Sequence, residues 1–556
     1  MQKLFFTRRQ RFWNGFLAGL EAGIIATVLM LLLSAAFNGI SLPEVFGSAL
    51  TQLMSPATFN TLHELIGGDA KHYFFYCILV GQCLVFAVSG GLCTLIVGRV
   101  KAEKTGQEVL RWTAGIVLTL LLLLLTGLVL LPITGVGFFG ARLVIGAVNT
   151  IVSLAVVGVI FAGSFVLLQN QLVEHRVRLL NAPVEVQEKG VARREVVIRG
   201  IQLVGLGALG VLAWRFITGA QGLTSGSGGT TSATTAPGLL QRYQKKIVPV
   251  PTPNYGNVQP MPLLSKEITP NDQYYIVSKN LFSDPTVNGD TWHLSVSGDI
   301  EHPFSLNYKD LLALPTKQQY ESMMCISNEV GGQYMSSALW EGISLADLLA
   351  RGGAIKPGAT KVVLYAVDDY SDSIHLSKAL EPTTLLAFRM NGATLPQGHG
   401  FPLRLLVPGI YGMKHVKWIN RIQVVNTDFQ GYWQQRGWSD SAPLHMTSRI
   451  DVPLTGATIQ ANKLTYIAGV AFSGNKGISQ VDVSFDQGQT WNKATLKRPL
   501  SALTWVLWEL PWQPKVGTYT VIVRAIDMQG NVQDPSIAPP LPDGSSGYHS
   551  IKITVK

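Results

Sequence analysis

One cysteine, Cys325, stands in the C-terminal 338 residues of this 556-residue chain. It lies in Met323-Met324-Cys325-Ile326-Ser327-Asn328-Glu329-Val330-Gly331-Gly332, after a strand-like run and before a polar, glycine-rich turn. A lone cysteine in a folded domain is ordinarily a small buried hydrophobe. A thiolate on such a turn is also accessible to a metal, and soft metals prefer thiolate. With a single Cys, the remaining soft ligands have to come from a cofactor. The other cysteines, Cys77, Cys83 and Cys93, lie in one apolar stretch without a CxxC spacing and read as packing residues.

The elements that must position Cys325 are mixed. Residues 291–298 alternate like a half-buried strand. Residues 344–350 form a short helix opened by a Ser cap. Residues 361–367, 401–407 and 416–425 read as strands, so 269–430 is a mixed α+β domain. After about residue 430 the pattern becomes strands at 464–472, 480–484, 505–509, 517–526 and 550–555, joined by glycine-rich turns. No helical period appears, which points to an immunoglobulin-like β-sandwich over 431–556, held by packing without a Cys pair.

The N-terminal part is different. Charged residues make up 14% of the chain against ~25% in an average soluble domain. Hydrophobic residues are 47%, and mean hydropathy is +0.26. This excludes a disordered or collagen-like chain. The excess sits in five apolar runs, at about 14–37, 73–98, 113–131, 143–168 and 200–220, each near the ~20 residues a spanning helix needs. Residues 1–220 therefore read as a membrane domain. Residues 1–218 carry 17 Lys and Arg against 10 Asp and Glu, and the remainder 27 against 24. Basic loops stay in the cytoplasm. The expected topology is thus a multi-pass protein of the cytoplasmic membrane, N-terminus inside, with the residues after 220 on the extracytoplasmic side. The basic excess argues for membrane lipid, and no basic stripe with interleaved aromatics suggests nucleic acid. Glu21 and Arg142 are placed near span ends, and His63, His72 and His175 in loops. Arg193-Arg194 is either simple positive-inside flanking or similar to an internal twin-arginine export signal. Residues 221–268 read as a linker, Gly/Ser/Thr-rich and then Pro-rich.

Several segments, in order, resemble the sulfite oxidase family of molybdopterin enzymes. They are Tyr275-Ile276-Val277-Ser278-Lys279-Asn280, Trp292 to Gly298, Cys325-Ile326-Ser327-Asn328, Trp340-Glu341-Gly342-Ile343-Ser344-Leu345 and Asp368-Asp369-Tyr370. Residues 385–395, His399 to Gly409 and Gly412 to Trp418 continue the match. Gly488-Gln489-Thr490-Trp491, Trp505 with Trp508, and Arg524-Ala525-Ile526-Asp527 are similar to that family's dimerisation domain. The resemblance covers about half of the chain and leaves the membrane part outside. It implies a molybdenum-molybdopterin cofactor, with Cys325 as protein ligand to the metal, and a homodimer through the C-terminal domain. His399, Arg404, His415 and Lys417 match the segments that bind the pterin and its phosphate. An Arg fork and a Lys point charge suit phosphate oxygens. A strand-edge pairing for Arg404 and a solvated charge for Lys417 are the bland readings. Asp369 and Tyr370 match a loop facing the metal, where Tyr370 would hydrogen-bond substrate or serve only as a structural tyrosine. Asn271, Tyr274, Lys279 and Asn280 occupy the segment that lines the pterin.

One departure matters. Sulfite-oxidising members continue the Cys turn with Asn and a pair of Arg, where this chain has Asn328, Glu329 and Val330. Ser278-Lys279 likewise replace an Arg. An acid in place of a base weakens an oxyanion pocket. The expected activity is oxygen-atom transfer on a small oxo-acceptor or oxo-donor, coupled to electron transfer. The chain has no CxxCH motif, so electrons pass to an external redox protein or membrane quinone. An S- or N-oxide reductase is the alternative enzyme, and a cofactor-free membrane-bound binding module the alternative outside catalysis.

Overall fold

The computed structural model describes residues 7–37, 39–53, 58, 61, 70–97, 104–141, 143, 145–180, 256–280 and 284–556. The described chain divides into a helical unit and a larger α/β and β unit.

In the helical unit, α1 (Arg8–Phe37), α2 (Leu42–Leu53), α3 (Ala70–Val97), α4 (Lys104–Leu125), α5 (Leu131–Ile133) and α6 (Gly146–Leu180) follow in order. A π-turn, Thr126–Leu130, joins α4 to α5. Among the described residues, four stretches are long and apolar enough to cross a membrane: Arg8–Ser34, Phe75–Val97, Glu108–Ile133 and Gly146–Val173. The fifth expected span, Arg193-Arg194, His63, Arg142 and residues 221–255 lie outside the described residues. Small residues let α1 and α3 approach closely. A Cβ on Gly19 would meet the Phe86 carbonyl and Ala87, and one on Gly15 would meet Thr94 and the Gly90 carbonyl.

Three expectations need correction. Glu21 lies midway along α1 and is 3% exposed, because the helix starts at Arg8, before the apolar run begins. His72 is in the first turn of α3 and His175 near the end of α6, both just beyond the apolar stretches. The short helix α2 is not one of these apolar stretches.

The larger unit holds a mixed domain and a sandwich. The mixed domain has β1 (His293–Gly298), β2 (Phe304–Asn307), α7 (Tyr308–Leu312), β3 (Lys317–Met324), β4 (Met335–Ser344) and α8 (Leu345–Ala350). It continues with β5 (Lys361–Ala366), β6 (Ser371–His375), α9 (Leu376–Ala379), β7 (Leu385–Met390), β8 (Ala393–Thr394), β9 (Arg404–Leu406) and β10 (Ile419–Val425). One sheet runs β2-β1-β10-β5-β6, with β1 and β10 parallel. The other runs β3-β4-β7-β8, and β9 pairs with β7. Ser344 caps α8 by accepting from the Asp347 amide at 3.3 Å. Asn307 and Asp310 form a reciprocal capping box on α7. The core between the sheets includes Trp292, Leu294, Trp340, Leu364, Phe388, Leu405 and Ile422.

The sandwich contains β11 (Thr447–Val452), β12 (Thr458–Ile459), β13 (Thr465–Phe472), β14 (Ile478–Ser484), β15 (Asn492–Lys493), β16 (Thr495–Leu496), β17 (Val506–Trp512), β18 (Gly517–Asp527) and β19 (His549–Val555). Its sheets run β11-β13-β17-β16 and β12-β19-β18-β14-β15. Trp508, Val481, Val523 and Ile553 fill the space between them. The described end of the expected linker, 256–268, packs on the sandwich. Val258 and Leu264 are buried, the Gln259 amide donates to Glu509 at 2.6 Å, and the Trp505 indole donates to the Glu267 carbonyl at 3.2 Å. A Pro-rich sequence reads as extended, and an extended segment can still carry apolar anchors.

Candidate functional site

The hairpin of β3 and β4 pairs Lys317 with Gly342 through to Met324 with Met335, leaving 325–334 as its connection. Cys325 opens this turn. Its amide donates to the Tyr334 carbonyl at 3.0 Å, the Asn328 amide to the Cys325 carbonyl at 3.1 Å, and the Tyr334 amide to Asn328 Oδ1 at 2.8 Å. These bonds fix the backbone from both ends. The sulfur is buried, 3.0 Å from Ser327 Oγ, and burial pushes the thiol up. A bound metal cation reverses that balance, since a coordinating thiol deprotonates.

Side chains alternate across a strand, so Glu321 and Met323 share one face of β3. Arg404, placed there by the pairing of β9 with β7, meets this face. It is 6% exposed. Nη1 donates to the His399 carbonyl at 3.2 Å, Nη2 approaches Met323 Sδ at 2.8 Å, and the guanidinium lies 5.5 Å from the Trp340 ring centroid. Among the described residues no carboxylate is within ion-pairing distance of it. Burying a cation in this way is costly unless a counter-charge arrives. Glu321 is 1% exposed and accepts from Gln319 at 2.7 Å, and burial pushes its carboxyl up to about 8. Glu321 Oε1 stands 4.0 Å from His415 Nδ1.

Both histidines are neutral. Burial lowers His415 to about 3 and His399 to about 4. His399 Nε2 contacts the Asn271 carbonyl at 2.8 Å, which assigns its proton to Nε2 and leaves Nδ1 as an acceptor. His415 Nδ1 accepts weakly from the Val407 amide at 3.4 Å. Gly400, at φ 115, lets the chain turn between these groups. A Cβ there would sit 3.0 Å from the Lys417 Cβ and 3.2 Å from the Arg404 Cβ.

The residues expected at the site thus divide. Tyr274, His399, Arg404 and His415 come together beside the end of β3, with the Tyr274 ring 5.5 Å from His399 and 5.6 Å from Trp340. Lys417 is next to them, donating to the Gly398 carbonyl at 3.2 Å and lying 4.1 Å from the Trp418 ring. The Asn271 side chain is engaged by Met390 and Asn391 at 3.3 and 2.8 Å, so it is the Asn271 carbonyl that meets His399. Asn280 is buried. Lys279, Asp369 and Tyr370 belong to a second group. Lys279 pairs with Asp368 at 3.9 Å, and Asp369 is exposed at φ 62. The Tyr370 hydroxyl donates to the Met413 carbonyl at 2.8 Å and is 3.1 Å from Asp372. Asp372 in turn holds the fully buried Lys414 at 2.8 Å, which also reaches Asp440 at 3.0 Å.

Sequence reasoning missed Glu321, Met323, Trp340 and Tyr275 as site residues. Trp340 and Tyr275 stood within quoted motifs, and strand parity from Cys325 back to Met323 and Glu321 was the available signal for the other two.

Five polar atoms of this region are buried without a hydrogen-bond partner: Tyr274 Oη, Tyr275 Oη, Glu321 Oε1, His399 Nδ1 and Arg404 Nε. Leaving each unpaired costs about 1–3 kcal/mol, and folded proteins keep few such groups. Donors, an acceptor imidazole and an uncompensated guanidinium suit a polar, anionic ligand. Among the described residues no three His, Cys, Asp or Glu side chains gather as a metal site, so any metal at Cys325 takes further ligands from that group. The residues present fit a phosphorylated pterin.

Comparison with known proteins agrees on the class. Residues 282–433 match the oxidoreductase molybdopterin binding domain and residues 441–555 the Mo-co oxidoreductase dimerisation domain. The protein is therefore of the molybdopterin oxidoreductase class. Within it, the chain belongs to the sulfite oxidase family. It is 31% identical to sulfite oxidase of Arabidopsis thaliana over 335 residues, which are 50% of this chain and 84% of that protein. It is 33% identical to mitochondrial sulfite oxidase of Homo sapiens over 333 residues, 51% of this chain and 61% of that one. The chain thus spans about three fifths of the mammalian relatives. The solved sulfane dehydrogenase SoxCD of Paracoccus pantotrophus is 21% identical, with a TM-score of 0.46, covering 61% of this chain and 96% of that chain.

Proposed function

We propose that this chain is a membrane-anchored molybdenum-molybdopterin oxidoreductase that moves an oxygen atom to or from a small substrate and passes electrons to a separate partner. The observation that carries this reading is the group of buried, unpaired polar atoms around Arg404, which a polar, anionic ligand would satisfy together. When bound, the molybdenum centre supplies two-electron oxygen-atom transfer.

The chain's own residues bind and orient. Cys325 is the protein ligand to the metal. Arg404 and Lys417 hold the phosphate. His399, its proton on Nε2 and held by Asn271, offers Nδ1 as an acceptor to the pterin. Tyr274, Tyr275 and His415 would close the surrounding shell, and Lys279 and Asp369 would stand beyond it. Tyr370 would hydrogen-bond the substrate or the oxo group.

Glu329 and Val330 stand where sulfite-oxidising members place an Arg pair, and Ser278-Lys279 where they carry an Arg. This favours a neutral S- or N-oxide over sulfite, so a reductase is the second reading. The electron partner is a redox protein or a membrane quinone. The sandwich is the surface for a homodimer. The basic N-terminal loops favour a cytoplasmic N-terminus and an extracytoplasmic catalytic domain, which a reporter fused after residue 220 tests.

Molybdenum analysis of the purified full chain, made in a host that synthesises molybdopterin, tests the whole reading. About one molybdenum per chain is expected from one thiolate site. A folded chain without molybdenum refutes it and leaves the binding module. Turnover of sulfite above that of methyl sulfoxides or amine oxides refutes the substrate assignment alone.

A further inference from the structure

The turn that carries Cys325 is held by two domains. From its own side it has the bonds to Tyr334 and Asn328 described above. From the sandwich, Ser545 Oγ donates to the Asn328 carbonyl at 2.7 Å, and Arg449 Nη1 donates to the Gly332 carbonyl at 2.7 Å. Between these two anchors Gly331, at φ 79, is seated so closely on the His549 ring that a Cβ would collide with it.

The sandwich groups are themselves fixed. Arg449 is 4% exposed and each of its nitrogens has one partner. Nε donates to Asp451 Oδ1 at 2.6 Å and Nη2 to Ser265 Oγ at 2.7 Å, while the Ser265 amide donates to Asp451 Oδ2 at 3.0 Å. A planar fork held at three corners has little freedom to drift. His549 Nδ1 accepts from the Ile450 amide at 3.0 Å, which fixes the ring that Gly331 rests on. Below the turn, Met324, Ile326 and Met335 share one apolar cluster with Leu444, Phe472, Trp505 and Leu541. The turn thus has the carbonyls of Asn328 and Gly332 held by the sandwich, and the amides of the same two residues held within the turn by the Cys325 and Glu329 carbonyls.

We infer that Arg449 and Ser545 of the sandwich are positioning residues for the Cys325 thiolate. The inference rests on the reading of Cys325 as the metal ligand. Neither residue touches the sulfur. They act by holding the backbone carbonyls at 328 and 332, and with them the direction in which Cys325 points.

The test uses the full chain in detergent, with Ser545→Ala, Arg449→Lys and, as a distal control on the same sandwich, Thr490→Ala. Two readouts are taken. The first is the rate at which iodoacetamide alkylates Cys325 in chain made without molybdopterin. Losing one anchoring bond is expected to raise it about tenfold, which is ~1.4 kcal/mol of local opening. The second is the Mo(V) electron paramagnetic resonance signal of the loaded chain, which should shift in Ser545→Ala and Arg449→Lys and stay put in Thr490→Ala. Ser545→Ala loses only a hydroxyl and keeps the test sound if Arg449→Lys misfolds. Unchanged alkylation in Ser545→Ala overturns the inference, whatever the metal does. A faster alkylation with an unshifted signal overturns the link to the metal, and separates this failure from loss of the proposed function, which would remove the signal from the unmutated chain as well.

Discussion

Replacing Arg404 by Met separates what the chain needs from what its cofactor needs. Without cofactor, Arg404 is a buried cation whose Nε has no partner and whose nearest acceptors are a thioether and the His399 carbonyl. Methionine has a similar reach and no charge. Its introduction relieves a penalty of several kcal/mol for an uncompensated buried ion. Against this, the His399 carbonyl loses its donor at about 1–3 kcal/mol, and the contact with the Trp340 ring goes. The balance favours the variant by about 1–3 kcal/mol, and each kcal/mol raises Tm by roughly 2–4 °C in a domain of this size. With cofactor the sign reverses. Two charge-assisted bonds to phosphate amount to about 3–6 kcal/mol, or two to four orders of magnitude in retention. Thermal unfolding of both variants, with and without molybdopterin in the host, reads the first effect. Molybdenum per chain after gel filtration reads the second. A cofactor-free variant less stable than the parent, together with undiminished molybdenum, refutes the reasoning.

Other outcomes follow from the same geometry. Burial raises the Glu321 carboxyl from 4.5 in the unfolded chain to about 8, so the folded protein binds the extra proton between these values. Stability of the cofactor-free chain should therefore fall as pH rises through this window, by up to about 1.4 kcal/mol per pH unit, and Glu321→Gln should flatten the profile; an unchanged slope in denaturant titrations contradicts it. Gly400→Ala forces a left-handed residue with a Cβ against Lys417 and Arg404, so it should cost about 1–3 kcal/mol in urea unfolding and lower molybdenum content. Tyr370→Phe should leave molybdenum content intact and reduce kcat about tenfold or more, the worth of one hydrogen bond in the transition state; full kcat would return Tyr370 to a structural role beside Met413 and Asp372.

Much of this architecture was legible in the sequence because period and burial coincide there. The strand expected over 517–526 is Gly517–Asp527, and the Ser cap expected at 344 opens Leu345–Ala350. Arg404 stood out as a charge within an apolar run, and the structure buries it. Glu321 did not, since a Glu within a strand reads as solvated until its face is known. The anchors from Ser545 and Arg449 to the Cys325 turn were invisible for a different reason. They join residues 217 and 117 positions apart, and no local pattern encodes which carbonyl a distant serine or arginine will meet. Glu21 was misplaced because charged residues Arg8, Arg9 and Arg11 end a hydropathy run without ending a helix.

The central claim is that Cys325 ties a molybdenum-pterin centre to this chain. X-ray absorption at the molybdenum edge, on the full chain and on Cys325→Ser loaded in the same host, tests it most directly. The account expects the variant to lose one sulfur neighbour of the metal, or to lose the metal altogether, while the sandwich stays folded. The same sulfur coordination in both proteins would contradict it.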